Sequence, residues 1–513
     1  MIKSIVIVGG GTAGWITANH LAVALGGAGK SSVQITLLES PDIPTVGVGE
    51  GTVPAMRNTL AHFGIRETDF LRECDATFKQ SIKFVDWVHN PGASVNNFYH
   101  HVFDYPAIYP LNTVPYWLLE PNNLKFADAV SLQGKVCDAG LAPKMITHPE
   151  FQGVTEYAYH LDAGKFSQLL ANNAVNKLGV KHVKANLTDV DIDESGDIQF
   201  VKTDRAGDLK GDLFVDCSGF NALLIDKKYK VKFIDQSQHL FVDTALAMQV
   251  PYQNPDDPIA SHTIATAKQS GWIWDIGLSS RRGVGYVYSS QYTDDTSAEE
   301  TLRNYVGGAA SELQCRKISM KIGYREKFWV NNCVSIGLSQ GFVEPLEATG
   351  LLLFDAAAKM LAELLPGHKQ DMAKTSRLFN QRSTYTWKRV IDFIKMHYYL
   401  SQRDDSEFWI DNRKASSAPQ SLLEALDLWH NRPPSEYDFF SRFEAFNLDN
   451  YLYVLYGMEF QTNMSGIAGR YTQAEKSQEF YRRFSQQFDE LKTQLEPNRK
   501  LLGRIKKYGL QTC

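Results

Sequence analysis

Gly9-Gly10-Gly11-Thr12-Ala13-Gly14 has the G-x-G-x-x-G spacing that lets a main chain wrap a pyrophosphate. In such a turn Gly9 permits the sharp bend, and Gly11 lets the backbone approach the phosphates. Gly14 lets the following helix pack closely on the strand. Thr12 and Ala13 fall at that helix N-terminus, whose partial positive charge favours an anion. Glu39 ends the next strand-like run and is placed to accept hydrogen bonds from a ribose. A second glycine segment, Val46-Gly47-Val48-Gly49-Glu50-Gly51-Thr52, can lie along an extended cofactor. Asp216-Cys217-Ser218-Gly219 and Ser335-Ile336-Gly337-Leu338 read as two more strand-end turns. The first motif fits NAD or FAD; several such turns in one chain suit FAD, which spans a domain.

The elements that must hold these residues are readable in outline. Residues 4–8, Ser-Ile-Val-Ile-Val, have the apolar run of a buried parallel strand. Trp15 to Leu21 suits a helix, and residues 33–38 suit a second strand, which makes one βαβ unit. Residues 213–215 and 333–336 read as further buried strands, and 197–202 and 283–289 suggest a strand-rich middle. Beyond about residue 350 long helical patterns dominate, over 351–365, 375–400, 419–429 and 473–493. The expected fold class is therefore mixed α/β. Residues 1–350 form an FAD-binding module of the two-dinucleotide-binding, glutathione-reductase-like type, with strand-rich substrate-side insertions. Residues 351–513 form a mainly helical substrate-pocket region packed as one unit with it.

Composition removes several alternatives. The 513 residues are 43% apolar and 22% charged, a globular balance that excludes global disorder. A net charge of -5 argues against a nucleic-acid partner, which calls for a basic excess. The longest apolar stretch, Leu351 to Leu365, is broken by Asp355 and Lys359, so no membrane span is expected. The cysteines form no C-x-x-C pair, and no metal site is expected. The first strand begins by Ser4, with no signal peptide ahead of it, so the expected setting is reducing and cytoplasmic.

More specific segments then come into view. Phe78-Lys79-Gln80-Ser81-Ile82-Lys83-Phe84 sets a lysine between aromatic flanks. Gly271-Trp272-Ile273-Trp274-Asp275-Ile276 is close to W-x-W-x-I-P, and Phe342-Val343-Glu344-Pro345-Leu346-Glu347-Ala348-Thr349-Gly350 to F-x-x-P-x-x-S-x-G. With Gly9 to Trp15, Gly47 to Thr52, Asp392-Phe393, His397-Tyr398, Arg403 and Phe408-Trp409 in order, nearly the whole chain resembles the flavin-dependent, tryptophan halogenase family. Two positions depart from the pattern: Gly277 stands where the first signature has proline, and Ala348 where the second has serine. The missing hydroxyl at 348 removes a hydrogen bond near the reacting centre.

The resemblance implies chemistry. Reduced FAD, O2 and chloride or bromide give hypohalous acid, which reaches a separate pocket and halogenates an indole-type ring by electrophilic substitution. Lys79 maps onto the family's catalytic lysine, able to hydrogen-bond hypohalous acid or form a haloamine; burial would lower its pKa. Glu347 maps onto the carboxylate that stabilises the ring cation and takes its proton. Glu344, three residues earlier, competes for that role, because on a helical turn the two would share a face. Backbone N–H groups of Thr349 and Gly350 can hold the halide. The resemblance also implies cofactor contacts at Gly49, Glu50, Leu187, Leu338 and Leu351. Trp272 and Trp274 alternate on a strand-like run and so point to one face; the resemblance implies that the pair keeps organic substrate from the flavin.

His101 and Phe103 resemble the positions that sandwich the indole. Tyr451 resembles one of a tyrosine pair that clamps free tryptophan, and Leu452 replaces the other. Indole, a substituted indole or a larger indole-bearing molecule is thus as compatible as tryptophan. No second nucleotide fingerprint is evident, so reduced flavin is expected from a separate reductase; a homodimer follows from family analogy alone. An aromatic monooxygenase driven by NAD(P)H and a catalytically retired flavin- or ligand-binding protein are the competing readings.

Overall fold

A computed structural model describes residues 1–29, 31–43, 49–93, 96–106, 111–120, 124–441 and 444–512. Val46, Gly47 and Val48 of the second glycine segment lie outside the described residues. A six-stranded sheet carries the first motif. Its order is Trp329–Val330, Cys333–Ser335, Leu213–Asp216, Ser4–Val8, Gln34–Glu39, Lys181–Lys184. All neighbours are parallel except the edge hairpin. Ile7 sits level with Val215 on one side and Leu37 on the other, which lines up the strand ends at Val8, Asp216 and Glu39. The helix Thr12–Ala24 leaves this edge and is buried from Gly14 to Ala22. A helix apolar on every side must be enclosed, and helices Ala163–Asn176 and Thr349–Leu364 pack on it. Its polar members are satisfied inside: Asn19 donates to Trp15 O and Leu170 O, and His20 Nε2 meets Asp355 Oδ1 at 2.7 Å.

A seven-stranded sheet forms the second layer. Its order is Arg316–Ser319, Thr244–Pro251, Arg281–Tyr288, Gly271–Gly277, Thr263–Lys268, Ser81–Val85, Phe98–Val102. A small antiparallel sheet, Gly49–Gly51, Ala158–Asp162 and Thr77–Lys79, joins the layers. The chain passes from it into the large sheet through Lys79 and Gln80, so Lys79 stands at the junction.

The helical patterns past residue 350 appear as Thr349–Leu364, Met372–Tyr399, Gln420–Asn431 and Ala474–Gln494. Helix Leu448–Gly457 lies over strand Phe98–Val102. Gly457 permits this approach, because a Cβ there would come within 2.4 Å of the Tyr99 ring. One apolar core runs from Ile2 to Leu510. Among the described residues, no helix is long and apolar enough to cross a membrane, and Cys74, Cys137, Cys217, Cys315 and Cys333 are unpaired.

Candidate active site

Two cavities meet beneath the first helix. One, of about 270 Å³, is lined by Gly9, Gly11, Thr12, Ala13, Glu39, Leu187, Ser218 and Gly219. The other, of about 260 Å³, is lined by Gly49, Lys79, Trp272, Trp274, Ala348 and Gly350. Glu50, Leu338, Leu351 and Phe354 line both, so the two share walls. Gly14 stands behind the first: its Cβ would come within 1.9 Å of Gly9 O, the close strand–helix packing its position requires. Gly9 adopts φ +123°, and a Cβ there would strike Cys217 O at 2.1 Å. Gly11 caps the helix with no side-chain cap bond, which leaves the first-turn N–H groups to a ligand. An elongated site with a phosphate-binding helix start at one end and apolar walls at the other fits FAD. Glu39 is held beside it by His182 Nε2 at 2.6 Å. Glu50 is pushed up to about 7, by burial first and by the charge of Asp162 second.

Lys79 ends its strand with its side chain 1% exposed. Nζ donates to Thr52 O at 3.0 Å and lies 5.2 Å from the centre of the Phe103 ring. Among the described residues that leaves two of its three N–H groups for a ligand. Burial lowers its pKa to about 8, against an upward pull from Glu347. Gly51, on the far side of strand Ala158–Asp162, makes room for the ammonium, since a Cβ there would sit 3.2 Å from Nζ.

Segment 343–348 is a turn; the helix begins only at Thr349. The chain is not helical between Glu344 and Glu347, so the two carboxylates do not share a helical face. Pro345 lacks an N–H, and Ala348 adopts φ +57° as the cap, so the chain bends between the carboxylates. Glu347, 2% exposed, meets His101 Nδ1 at 2.9–3.0 Å and His397 Nε2 at 2.8 Å. Burial would raise its pKa, but the two imidazoles outweigh burial and hold it at about 2. Asn450 fixes the His101 tautomer. Its Oδ1 accepts from Asn447 N at 2.9 Å, so its Nδ2 donates to His101 Nε2 at 3.1 Å and Nδ1–H faces the carboxylate. His397 has an acceptor at each ring nitrogen: Phe393 O at 2.9 Å and Glu347 Oε1 at 2.8 Å. Glu344 turns the other way, to Trp272 Nε1 and Tyr398 OH, both at 2.6 Å.

The structure thus brings Lys79, Glu347, His101, Phe103 and Gly350 around one region. Thr349 is fully buried, its hydroxyl donating to Glu344 O at 3.0 Å. Tyr451 stands one layer back, with ring contacts to Phe393 at 4.8 Å, Trp429 at 5.4 Å and Phe439 at 5.1 Å. The residues of its helix that reach His101 are Asn450 and, at 6.1 Å between ring centres, Tyr453. Asn450 and His397 were missed as members of the site. Helical spacing was the available signal for the first, since positions three apart share a face.

Known proteins match this chain over nearly all its length. The tryptophan halogenase family profile fits residues 4–470. The tryptophan 7-halogenase RebH of Lentzea aerocolonigenes is 36% identical over 490 residues, covering 89% of each chain. The tryptophan 6-halogenase SttH of Streptomyces toxytricini is 35% identical over 477 residues, covering 88% of each. The crystal structure of a tryptophan halogenase from Shewanella frigidimarina superposes with a TM-score of 0.96 at 42% identity, covering 100% of this chain and 99% of that one. The chain belongs to the tryptophan halogenase family.

Proposed function

We propose that this protein is an FADH2-dependent halogenase acting on an indole-type substrate, with Lys79 and Glu347 as its catalytic residues. The observation that carries the reading is the pairing of a buried ammonium on the flavin-side cavity with a buried carboxylate kept ionised by two imidazoles. Bound as FADH2, the flavin with O2 would supply the oxidation of chloride or bromide to hypohalous acid. Gly9, Gly11, Thr12, Ala13, Gly14 and Glu39 would hold its adenosine and pyrophosphate end. Gly49, Glu50, Leu187, Leu338 and Leu351, which line the two cavities, would border it. First-turn N–H groups at Thr349 and Gly350 hold the halide, beside a cap that makes no side-chain bond of its own.

Lys79 receives the hypohalous acid with its remaining N–H groups and orients the halogen toward the ring. Phe103 and His101 border the ring; hydrogen bonds to Glu347 and Asn450 lock the imidazole in place. Electrophilic attack leaves positive charge on the ring. Glu347 stabilises it and accepts the ring proton, with His397 Nε2 next along the same hydrogen bond. A carboxylate that stays ionised down to about pH 2 is available as a base throughout the physiological range. The substrate is an indole, a substituted indole or a larger indole-bearing molecule, and a separate reductase delivers the reduced flavin.

The test supplies purified protein with enzymatically reduced FAD, O2, bromide and indole or tryptophan, with catalase present, and reads products by mass spectrometry. A bromine isotope doublet that disappears in Lys79→Ala is expected. A hydroxylated product would make the protein a monooxygenase. Tight indole binding without turnover across a panel of aromatics would make it a binding protein.

A further inference from the structure

Glu344 is a fully buried carboxylate that the reaction as described leaves unused. Its Oε2 accepts from Trp272 Nε1 and from Tyr398 OH, both at 2.6 Å, while Oε1 has no hydrogen-bond partner among the described residues. Burial pushes its pKa up to about 7, partly offset by those two donors. An ionisable group in such a place is costly to keep, so its partners should explain it. Trp272 is 1% exposed and lines the flavin-side cavity with Trp274, whose ring centre is 6.4 Å away. Trp272 also meets Trp87, at 6.4 Å between ring centres, and Trp87 in turn meets His397 at 6.2 Å. His397 holds Glu347. The Trp272 indole therefore borders the flavin-side cavity and, through Trp87, touches the layer supporting Glu347.

The Trp272 ring is buried. Its flat body has apolar neighbours, and its one polar atom is tied to one carboxylate oxygen. Tyr398 ties the same oxygen from the helix Met372–Tyr399, whose preceding residue grips Glu347. Consecutive residues of one helix thus hold the two carboxylates of segment 343–348 on separate duties.

We propose that Glu344 is a positioning residue that fixes the Trp272 indole as the wall between the flavin-side cavity and the substrate side, and so sets how much oxidant reaches product. This rests on the halogenase reading above. A wall free to rotate lets water or substrate into the flavin-side cavity, and oxidising equivalents leave as hydrogen peroxide.

The experiment is a single turnover with protein in excess over reduced FAD, in O2, bromide and indole. Brominated product and hydrogen peroxide are both measured. Glu344→Leu removes the acceptor, and Trp272→Phe removes the donor but keeps an aromatic ring. Each is expected to raise peroxide per product about five-fold, the factor that loss of one hydrogen bond sets, with indole KM unmoved. The double variant should go no further than either single one. Glu344→Gln keeps a carbonyl oxygen for both donors and should stay within about two-fold of the wild type. If Glu344→Leu does not fold, Trp272→Phe and Glu344→Gln still decide the matter. A brominating wild type whose ratio is unmoved in Trp272→Phe, or a double variant whose effects add, overturns the role of Glu344 alone. A wild type that gives no brominated product overturns the halogenase reading and this inference with it.

Discussion

Replacing Lys79 with methionine should abolish halogenation and yet make the protein more stable near neutrality. Burial holds the Lys79 ammonium at about 8 against an ordinary 10.5. At pH 7 both folded and unfolded forms carry the proton, and the folded form bears the full penalty, about 3 kcal/mol for that shift. Methionine is of similar length and carries no charge to desolvate. The variant also loses the bond from Nζ to Thr52 O, worth about 1 kcal/mol. The net gain is about 2 kcal/mol. For 513 residues the unfolding entropy converts this to a rise of about 2 °C in Tm. The sign with pH follows from linkage. Between about pH 8 and 10.5 the unfolded chain binds more protons at this position than the folded one, so wild-type stability gains as pH rises. By about pH 9.5 the penalty falls to about 1.4 kcal/mol, and the advantage of Lys79→Met nearly disappears. Paired thermal melts at pH 7, 8, 9 and 9.5 read this directly. A variant less stable than the wild type at pH 7, or a gap that does not change with pH, would refute the placement of a strained ammonium here.

Glu347→Gln should lower kcat about 100-fold while leaving oxidised bromide, trapped by an added halogen acceptor, unchanged, since only the ring step needs the carboxylate. Wild-type kcat should show no acid limb from Glu347 above about pH 3, and its contribution to stability should be lost only as pH falls from the ordinary carboxylate range toward about 2. Burial pushes the Glu50 carboxyl up to about 7 in the wall shared by both cavities, so binding of the anionic FAD should weaken as pH rises through 7 and Glu50 gains its charge. Glu50→Gln should flatten that dependence in a tryptophan-quenching titration. Ala348→Ser should move the alkaline limb governed by Lys79 upward by about one pH unit, because a hydrogen bond to the charged form favours it. Lys79 and Ala348 line the same cavity, and a Cβ built on Gly51 would lie within 4 Å of both side chains.

What could be read in advance follows from how local each signal is. The strand, glycine turn and helix over residues 4–24 are specified by neighbours in sequence, and strand ends, helix start and cavity lie as the spacing requires. The long helices past residue 350 were equally visible, because a period repeated over many residues survives any tertiary context. Lys79 was different. It ends a three-residue strand, and its distinction is burial supplied by Thr52, Phe103 and Gly51 from elsewhere. Its aromatic flanks Phe78 and Phe84 hint at burial only weakly, and the family resemblance is what assigns it a role. Tyr451 shows the opposite hazard, a residue of suggestive type whose helix turns Asn450 and Tyr453 toward His101 and carries Tyr451 into the layer behind.

The two glutamates of segment 343–348 carry the argument furthest. Both are fully buried, three positions apart and identical in type, yet one is raised to about 7 and the other lowered to about 2. Desolvation acts on both in the same direction, so it cannot separate them. The partners do. Glu344 meets a neutral indole and a neutral phenol, whose hydrogen bonds only partly offset burial. Glu347 meets two imidazole N–H groups, each aimed at a carboxylate oxygen. A carboxyl of the first kind is suited to holding a ring in place, because its bonds change little whether or not it carries a proton. One of the second kind is suited to facing a developing cation, because its charge is secured in advance. The turn through Pro345 is what makes the division possible: had residues 344–347 continued as helix, both carboxylates would have shared one face and competed for one set of partners.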